Sequence, residues 1–466
     1  MHLGQPYRKE PALANHRITP QEVPSLLRRG KIRIAVIGLG RIGLPTAAVF
    51  ARAGALVTGV DIKKAVVDQT NAGKCWLTDE PGLSDMVKEG ASSGRLKATL
   101  NAEEAISRAD FSIICVPTPV YETKTPDYSA VQKASHTVGR WIRRGGTVIV
   151  ESTVGPGIVE EMVAPIVQNE SGLKAGRDFG LLACPERSDP GNIMQNMKTL
   201  PRIIGGLGAS TDAAVALYEA ALGVKAIKVS DPKTANAAKL TENLFRDVNI
   251  ALANEFALLF EELGVDAIEV INACASKYNF MPHYPGLGVG GPCLTANSYY
   301  LISEGLKAGN IPYLIRMARE INDRMPDHAV ELVGEALNEA GKTVKGAKVA
   351  VLGVAYKPNI KDVQLTPVER LVGRLRDMGA KVEIYDPMYK GETVLGLKCK
   401  STLELAVKDA DCVVIGTAHD EFKHLDLGEL AHLAKMKAGF VDARNVVAPV
   451  AVVKAGFAYR GVGRRP

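Results

Sequence analysis

Residues 32–61 constrain the fold more than any other stretch. Ile32–Ile37 is an apolar, β-branched run that leads directly into Gly38-Leu-Gly40-Arg41-Ile42-Gly43. A helical pattern, Leu44–Ala53, follows, and then a second apolar run, Leu56–Val60, that ends at Asp61. A strand, a GxGxxG turn, a helix, a strand and an acid together describe a dinucleotide-binding half of a doubly wound sheet. Gly38 makes the tight turn, Gly40 lets a pyrophosphate approach the backbone, and Gly43 lets helix and strand pack closely. The helix N-terminus, with Arg41 and Ile42 in its approach, faces the phosphates. Asp61 accepts from ribose hydroxyls and repels a 2′-phosphate, which favours NAD over NADP. The alternative is a turn of this shape that carries no cofactor.

Further apolar runs each end in polar residues. Phe111–Val116 leads into Pro117-Thr118-Pro119, Thr147–Val150 into Glu151-Ser152-Thr153, and Gly180–Ala183 into Cys184-Pro185-Glu186-Arg187. In an open α/β sheet ligands sit at the carboxyl ends of the strands. Thr118, Thr153 and Glu186 are therefore candidate site residues, with a helix cap or turn as the alternative for each.

Ser230-Asp231-Pro232 opens a helix that meets no glycine or further proline until Gly264. Apolar residues recur at Leu240, Leu244, Val248, Leu252 and Phe256, and Lys239, Asn243 and Arg246 share a face. A lysine and an amide on one face can donate to an oxyanion; a solvated face is the plainer reading. So long a helix is expected to join two domains and to offer a homodimer surface. A second helix, Asp266–Cys274, precedes Pro285–Leu294 (PGLGVGGPCL), and Asn310–Arg324 reads as another helix. The glycines of PGLGVGGPCL are expected to leave backbone amides uncovered beside Cys293. That thiol is either a nucleophile at a carbonyl or an inert core cysteine.

Beyond a linking helix near Pro326–Gly341 the opening order recurs. Lys348–Leu352 is a strand followed by GVAYKPNIKD, then come a helix, Pro367–Met378, and a strand, Lys381–Tyr385, ending in Asp386. Ala410–Gly416 and Gly439–Asp442 read as further strands. The expected fold is α/β, with two Rossmann-like doubly wound domains joined by a long central helix and a helical middle domain. The expected boundaries are a polar extension over 1–30, a cofactor domain over 31–229, a central helical domain over 230–330 and a second nucleotide-type domain over 331–466.

Composition narrows the function classes. Hydrophobic residues make up 46% and charged residues 23%, which is ordinary for a soluble protein. A net charge of +6 is modest, and its tight clusters, Arg28, Arg29 and Lys31, and Arg460, Arg464 and Arg465, read as solvated ends rather than a nucleic-acid surface. The seven cysteines show neither a disulfide framework nor metal-ligand spacing, so no metal is expected and a reducing cytoplasm fits. There is neither a signal peptide pattern nor an apolar run long enough to span a membrane.

From about residue 32 onward the sequence resembles the UDP-glucose/GDP-mannose dehydrogenases. The resemblance rests on VIGLGRIGLP (36–45), VPTP (116–119), ESTV (151–154), CPER (184–187), KLTENLFRDVNIALANE (239–255), PGLGVGGPCL and GVAYKPNIKD (353–362). CPER followed by DPGN (189–192) is similar to the branch acting on UDP-N-acetylhexosamines. The resemblance implies NAD-dependent four-electron oxidation of a UDP-sugar C6 alcohol to the carboxylate. The aldehyde is captured by a thiol as a thiohemiacetal, oxidised to a thioester and released by water. It implies that Cys293 is the thiol, that Lys239 and Asn243 steady oxyanions and water, and that Thr153 and Glu186 lie beside the reacting centre. The expected cofactor contacts are Gly38, Gly40, Arg41, Ile42, Gly43, Asp61, Thr118 and Thr153. The expected substrate contacts are Glu186, Arg187, Lys239, Asn243, Arg246, Tyr284, Gly288, Gly290, Tyr356 and Lys357. Where the family usually carries an acid beyond the cysteine, this chain has Ala296 and Asn297, and Gln364 replaces an arginine. The alternative expectation is a relative that binds NAD and sugar nucleotide with incomplete turnover.

Overall fold

The computed structural model describes residues 18–189 and 191–464. Most of the N-terminal extension, Pro190 of the DPGN segment, and Arg465 lie outside these residues. The chain divides into two compact units, the first ending at Thr241 and the second beginning at Glu242.

The first unit is built on an eight-stranded sheet. Its strands are β1 (Arg33–Ile37), β2 (Leu56–Val60), β3 (Leu96–Thr99), β4 (Phe111–Ile114), β5 (Thr147–Val150), β6 (Gly180–Ala183), β7 (Arg202–Leu207) and β8 (Ala226–Val229). They lie in the order β3-β2-β1-β4-β5-β6-β7-β8, parallel except where β7 runs against β6. The central strands are buried on both faces, as helix-covered parallel strands require. The order turns back between β1 and β4, so the ends of those two strands flank the switch point where such sheets bind nucleotides.

The second unit carries a five-stranded parallel sheet. Here β9 is Lys348–Leu352, β10 Lys381–Tyr385, β13 Cys412–Ile415, β14 Gly439–Asp442 and β15 Ala458–Gly461, in the order β10-β9-β13-β14-β15. A short hairpin of β11 (Thr393–Val394) and β12 (Leu397–Lys398) separates β10 from β13. The switch point lies between β9 and β13.

The long helix spans Pro232–Leu263. Asp231 starts it by accepting the Thr234 N–H at 2.7 Å, so Asp231 rather than Ser230 supplies the capping bond. The next helix, Ala267–Cys274, is capped by Asp266. Two helices differ from expectation. Pro292–Lys307 is helical, so Cys293 stands in a first helical turn rather than at the end of a loop. Tyr313–Glu339 is one continuous helix with Pro326 inside it, where two helices were expected. A proline at 326 has no N–H for the carbonyl of Asn322, four residues earlier. The glycine-rich segment lies against that carbonyl: a Cβ on Gly288 would be 2.3 Å from it.

The basic clusters also divide. Arg28, Arg29 and Lys31 are exposed. Arg460 instead pairs with Glu335 and Glu339, and Arg464 with Asp266, so these two are anchors of the second unit rather than solvated ends.

Candidate active site

The glycine-rich turn of the first unit has the geometry a dinucleotide needs. Gly38 has φ +93°, and a Cβ there would lie 2.5 Å from the Cys115 carbonyl oxygen. A Cβ on Gly43 would lie 1.8 Å from Gly38 O, so only glycine lets the helix Gly43–Ala53 start this close to the strand end. Gly40 differs: a Cβ there would meet nothing within 4 Å, which leaves space on the side where a pyrophosphate approaches. Asp61 accepts the Leu39 N–H on Oδ2 and the Lys63 N–H on Oδ1, fixing its carboxylate at the edge of the turn with acceptor capacity left for ribose hydroxyls. These residues fit NAD. Arg41 pairs with Asp79 at 2.8 Å, and Ile42 is the residue preceding the helix.

Strand ends β4, β5 and β6 carry the other expected residues of this unit. Ser152 Oγ accepts from the Val116 N–H at 2.9 Å and donates to the Val116 carbonyl at 2.8 Å, which clamps the segment bearing Thr118. Thr118 and Thr153 are both half-buried. Glu186 is buried and accepts from the N–H groups of Arg187 and Ser188, from Ser188 Oγ and from Arg202. Arg187 turns its guanidinium to the Pro201 carbonyl. Glu80 accepts from the N–H groups of Gly191 and Ile193, fixing the segment after CPER. Lys239 is only 6% exposed, so the solvated-face reading fails for it.

In the second unit the glycine-rich segment is packed, not open. Pro285–Val289 is buried, and the Gly286 N–H is taken by Asn254 Oδ1 at 2.9 Å. A Cβ on Gly290 would meet Pro367, Leu365 and Tyr356, and one on Gly291 would meet the Tyr356 ring at 2.5 Å. The glycines therefore buy close packing rather than uncovered amides. Leu365, against Gly290, holds the left-handed φ of 52° that a branched residue rarely adopts. Out of this packed segment Cys293 emerges exposed, directly after Pro292. Cys115, Cys184, Cys399 and Cys412 are buried, and burial pushes the Cys184 thiol up to about 12.

Asn243 is half-buried, and its Nδ2 has no hydrogen-bond partner among the described residues, a donor available to a ligand oxygen. Arg246 is exposed, and Tyr284 hydrogen-bonds Asn272. Tyr356 and Lys357 are half-buried in the segment after β9. That segment is held by a buried pair: His419 Nε2 donates to Asp386 Oδ2 at 3.0 Å while its Nδ1 accepts the Asn359 N–H. Asp386 also accepts the N–H groups of Val354, Ala355 and Met388. It occupies the place that Asp61 has in the first unit, but its acceptors are committed to the protein.

Sequence reasoning missed several residues. Asp247 is buried and accepts from Ser298, Arg319 and Asn322, and Asn322 in turn accepts from Asn254. This chain of bonds anchors both the glycine-rich segment and the helix bearing Cys293. Arg444, two residues past β14, donates to the carbonyls of Gly416 and Gly288, and its Nη2 has no partner among the described residues. Asp442 accepts the Arg444 backbone N–H, but among the described residues no carboxylate hydrogen-bonds the guanidinium; burial, only partly opposed by the charge of Asp442, pushes it down to about 10. The only sequence signal for Arg444 was its position past a strand end. Asn297 is buried, which places it beneath the surface that presents Cys293.

A glycine-rich turn shaped for NAD, a buried lysine and an exposed thiol at a helix start define an NAD-dependent oxidoreductase. Sequence comparison makes the class specific. Residues 32–222 match the NAD binding domain of the UDP-glucose/GDP-mannose dehydrogenase family, residues 233–324 its central domain, and residues 350–449 its UDP binding domain. The chain belongs to this family and is an NAD-dependent nucleotide-sugar dehydrogenase. It is 39% identical over 434 residues to the UDP-N-acetyl-D-mannosamine dehydrogenase of Pyrococcus horikoshii, covering 93% of this chain and 99% of that one. It is 34% identical over 421 residues to the UDP-N-acetyl-D-glucosamine 6-dehydrogenase of Salmonella typhi, covering 90% and 97%. The solved structure of the Pyrococcus horikoshii UDP-D-ManNAc dehydrogenase superposes with a TM-score of 0.85, over 93% of this chain and 99% of that one. Among the described residues no helix is long and apolar enough to cross a membrane.

Proposed function

We propose that the chain oxidises the C6 alcohol of UDP-N-acetylmannosamine or UDP-N-acetylglucosamine to the carboxylate. The observation that carries this reading is Cys293, exposed in the first turn of its helix behind a packed glycine-rich segment. Relatives named for these two sugars support the substrate. Bound NAD supplies the hydride acceptor. Lys239 stabilises the alkoxide that develops at C6, and Asn243 offers its amide to the same oxygen or to water. The Cys293 thiolate adds to the C6 aldehyde, and the resulting thiohemiacetal holds the carbon for the second oxidation. Water then cleaves the thioester. Thr118 and Thr153 contribute to cofactor positioning, with Thr153 and Glu186 also beside the reacting carbon. In the second unit Tyr356, Lys357 and the unpaired arm of Arg444 suit a nucleoside diphosphate.

We also propose a homodimer through the long helix, in a reducing cytoplasm. Phe245, Leu252 and Leu259 recur at seven-residue spacing and are each about half exposed, an apolar stripe that a second copy would cover. None of the seven cysteines is in a disulfide, which supports the compartment.

A panel of UDP-sugars, followed by NADH absorbance, tests the substrate. NADH with either N-acetylhexosamine and none with UDP-glucose supports the reading. No NADH with any UDP-sugar overturns it. Leu252→Glu, followed by sedimentation, should give a monomer if the stripe is the dimer surface.

A further inference from the structure

Arg202, near the edge of the first sheet on β7, belongs to none of the motifs above. The residue is 3% exposed, and its guanidinium bridges two buried carboxylates. One arm, Nη1, donates to Glu186 Oε2 at 2.5 Å, and the other, Nη2, to Glu151 Oε1 at 3.0 Å. Glu151 also accepts from Tyr218 OH at 2.6 Å, Thr46 Oγ1 at 3.0 Å and Cys115 Sγ at 3.2 Å. The Tyr218 ring lies under the guanidinium, 5.4 Å from its carbon. Glu151 directly follows β5, two residues before Thr153, Glu186 sits in the turn after β6, and Thr46 is in the helix that starts at Gly43. One cation thus joins the CPER turn, the segment bearing Thr153 and the helix that follows the dinucleotide turn.

We propose that Arg202 is a positioning residue for the dehydrogenase reaction, holding Glu151 and Glu186 ionised together so that these three segments keep one geometry. The inference rests on the proposed reaction only for its kinetic consequence. Two buried carboxylates that face each other without a cation do not both stay ionised, because burial and like charge each favour one proton on the pair. Burial already raises Glu151, Arg202 opposes this, and the charge of Glu186 adds to it. Burial would raise Glu186 too, but Arg202 and the bonds from Ser188 outweigh it and hold the group at about 2. The other titratable groups facing the pair are Cys115, Cys184 and Tyr218, and burial raises all three, so they stay neutral. Arg202 is the cation of the cluster, and a proton on either carboxylate would cost an acceptor that Arg202, Ser188, Thr46 or Tyr218 now uses.

The test compares wild type, Arg202→Met and Arg202→Lys. Infrared difference spectra of the NAD-free proteins, with Glu151→Gln and Glu186→Gln as references, report the protonated carboxyl stretch without turnover. In Arg202→Met this stretch should persist to a pH about two units higher than in wild type. The rate of NADH formation with the UDP-sugar should gain an acidic limb at the same pH. Arg202→Lys, which keeps the charge, should remove most of that limb. An Arg202→Met protein whose carboxyl spectrum matches wild type overturns the inference, as does a rate lowered by the same factor at every pH. If Arg202→Met does not fold, Arg202→Gln, which keeps N–H donors without the charge, carries the test: its protonated carboxyl stretch should persist to a higher pH than in wild type, and a spectrum that matches wild type overturns the inference. The spectra need no sugar, so failure of the substrate assignment is distinguishable from failure of this inference.

Discussion

Gly288 lies against the main-chain carbonyl of Asn322, so close that a Cβ would sit 2.3 Å from its oxygen. Pro326 supplies the reason that this carbonyl is available, since it has no N–H to engage it within the helix. Gly288 also holds φ +90°, outside the range of other residues. Gly288→Ala should therefore destabilise the second unit by about 1–3 kcal/mol through strain and overlap. Chemical denaturation measures the loss. Alkylation of Cys293 should change with it, because the glycine-rich segment sets where that thiol emerges. A variant as stable as wild type would show that the segment tolerates another path.

Lys239 is predicted to act on the chemistry rather than on cofactor capture. Lys239→Ala should lower kcat by about 10²–10³-fold, the scale for losing one oxyanion stabiliser. NAD affinity, followed by fluorescence quenching, should stay near the wild-type value. A variant that loses NAD binding with unaltered single-turnover chemistry would reverse the assignment.

The His419–Asp386 pair holds the segment that bears Tyr356 and Lys357. His419→Ala removes a donor from Asp386 and the acceptor of the Asn359 N–H. The loss of one buried charge-assisted bond is worth about 2 kcal/mol. Titration with UDP should show weaker binding by about tenfold or more. Unaltered UDP affinity would mean that the segment holds its shape without the pair.

Glu186 makes a prediction about acid stability. Its ordinary value is 4.5 and its folded value about 2, so its folded-state pKa is depressed. Such a group adds stability above its unfolded pKa and loses that contribution as pH falls through its folded pKa. The stability difference between wild type and Glu186→Gln should shrink between about pH 5 and pH 2. Urea melts across that range check it; a difference independent of pH would show that the carboxylate gains nothing from its surroundings.

Five strands of the first sheet, β1, β2, β4, β5 and β6, were legible while β3, β7 and β8 were not, and the opening turn was the clearest because its signal is local. A run of β-branched residues, three glycines at fixed spacing and one acid specify a strand, a turn and a helix within about thirty residues. The same locality gave the strands β9, β10 and β14 almost residue for residue. What the sequence concealed is non-local. Arg202 and Glu151 are joined by folding alone, as are Asp247 and Arg319, and no spacing announces either pair. The helix bearing Cys293 was missed although Gly291-Pro292 is a fair helix start, because the preceding glycines drew the reading toward a loop. Those glycines turned out to serve close packing, and the reactive position is the first turn beyond them. Pro326 misled in the opposite sense, suggesting a break where tertiary packing keeps one helix intact.

The most direct test of the account is the number of NADH formed per UDP-N-acetylhexosamine consumed, measured for wild type and for Cys293→Ser. The thiol mechanism requires two for wild type and at most one for the variant, with the sugar left at the aldehyde. Two NADH per sugar from Cys293→Ser would contradict the role given to the thiol.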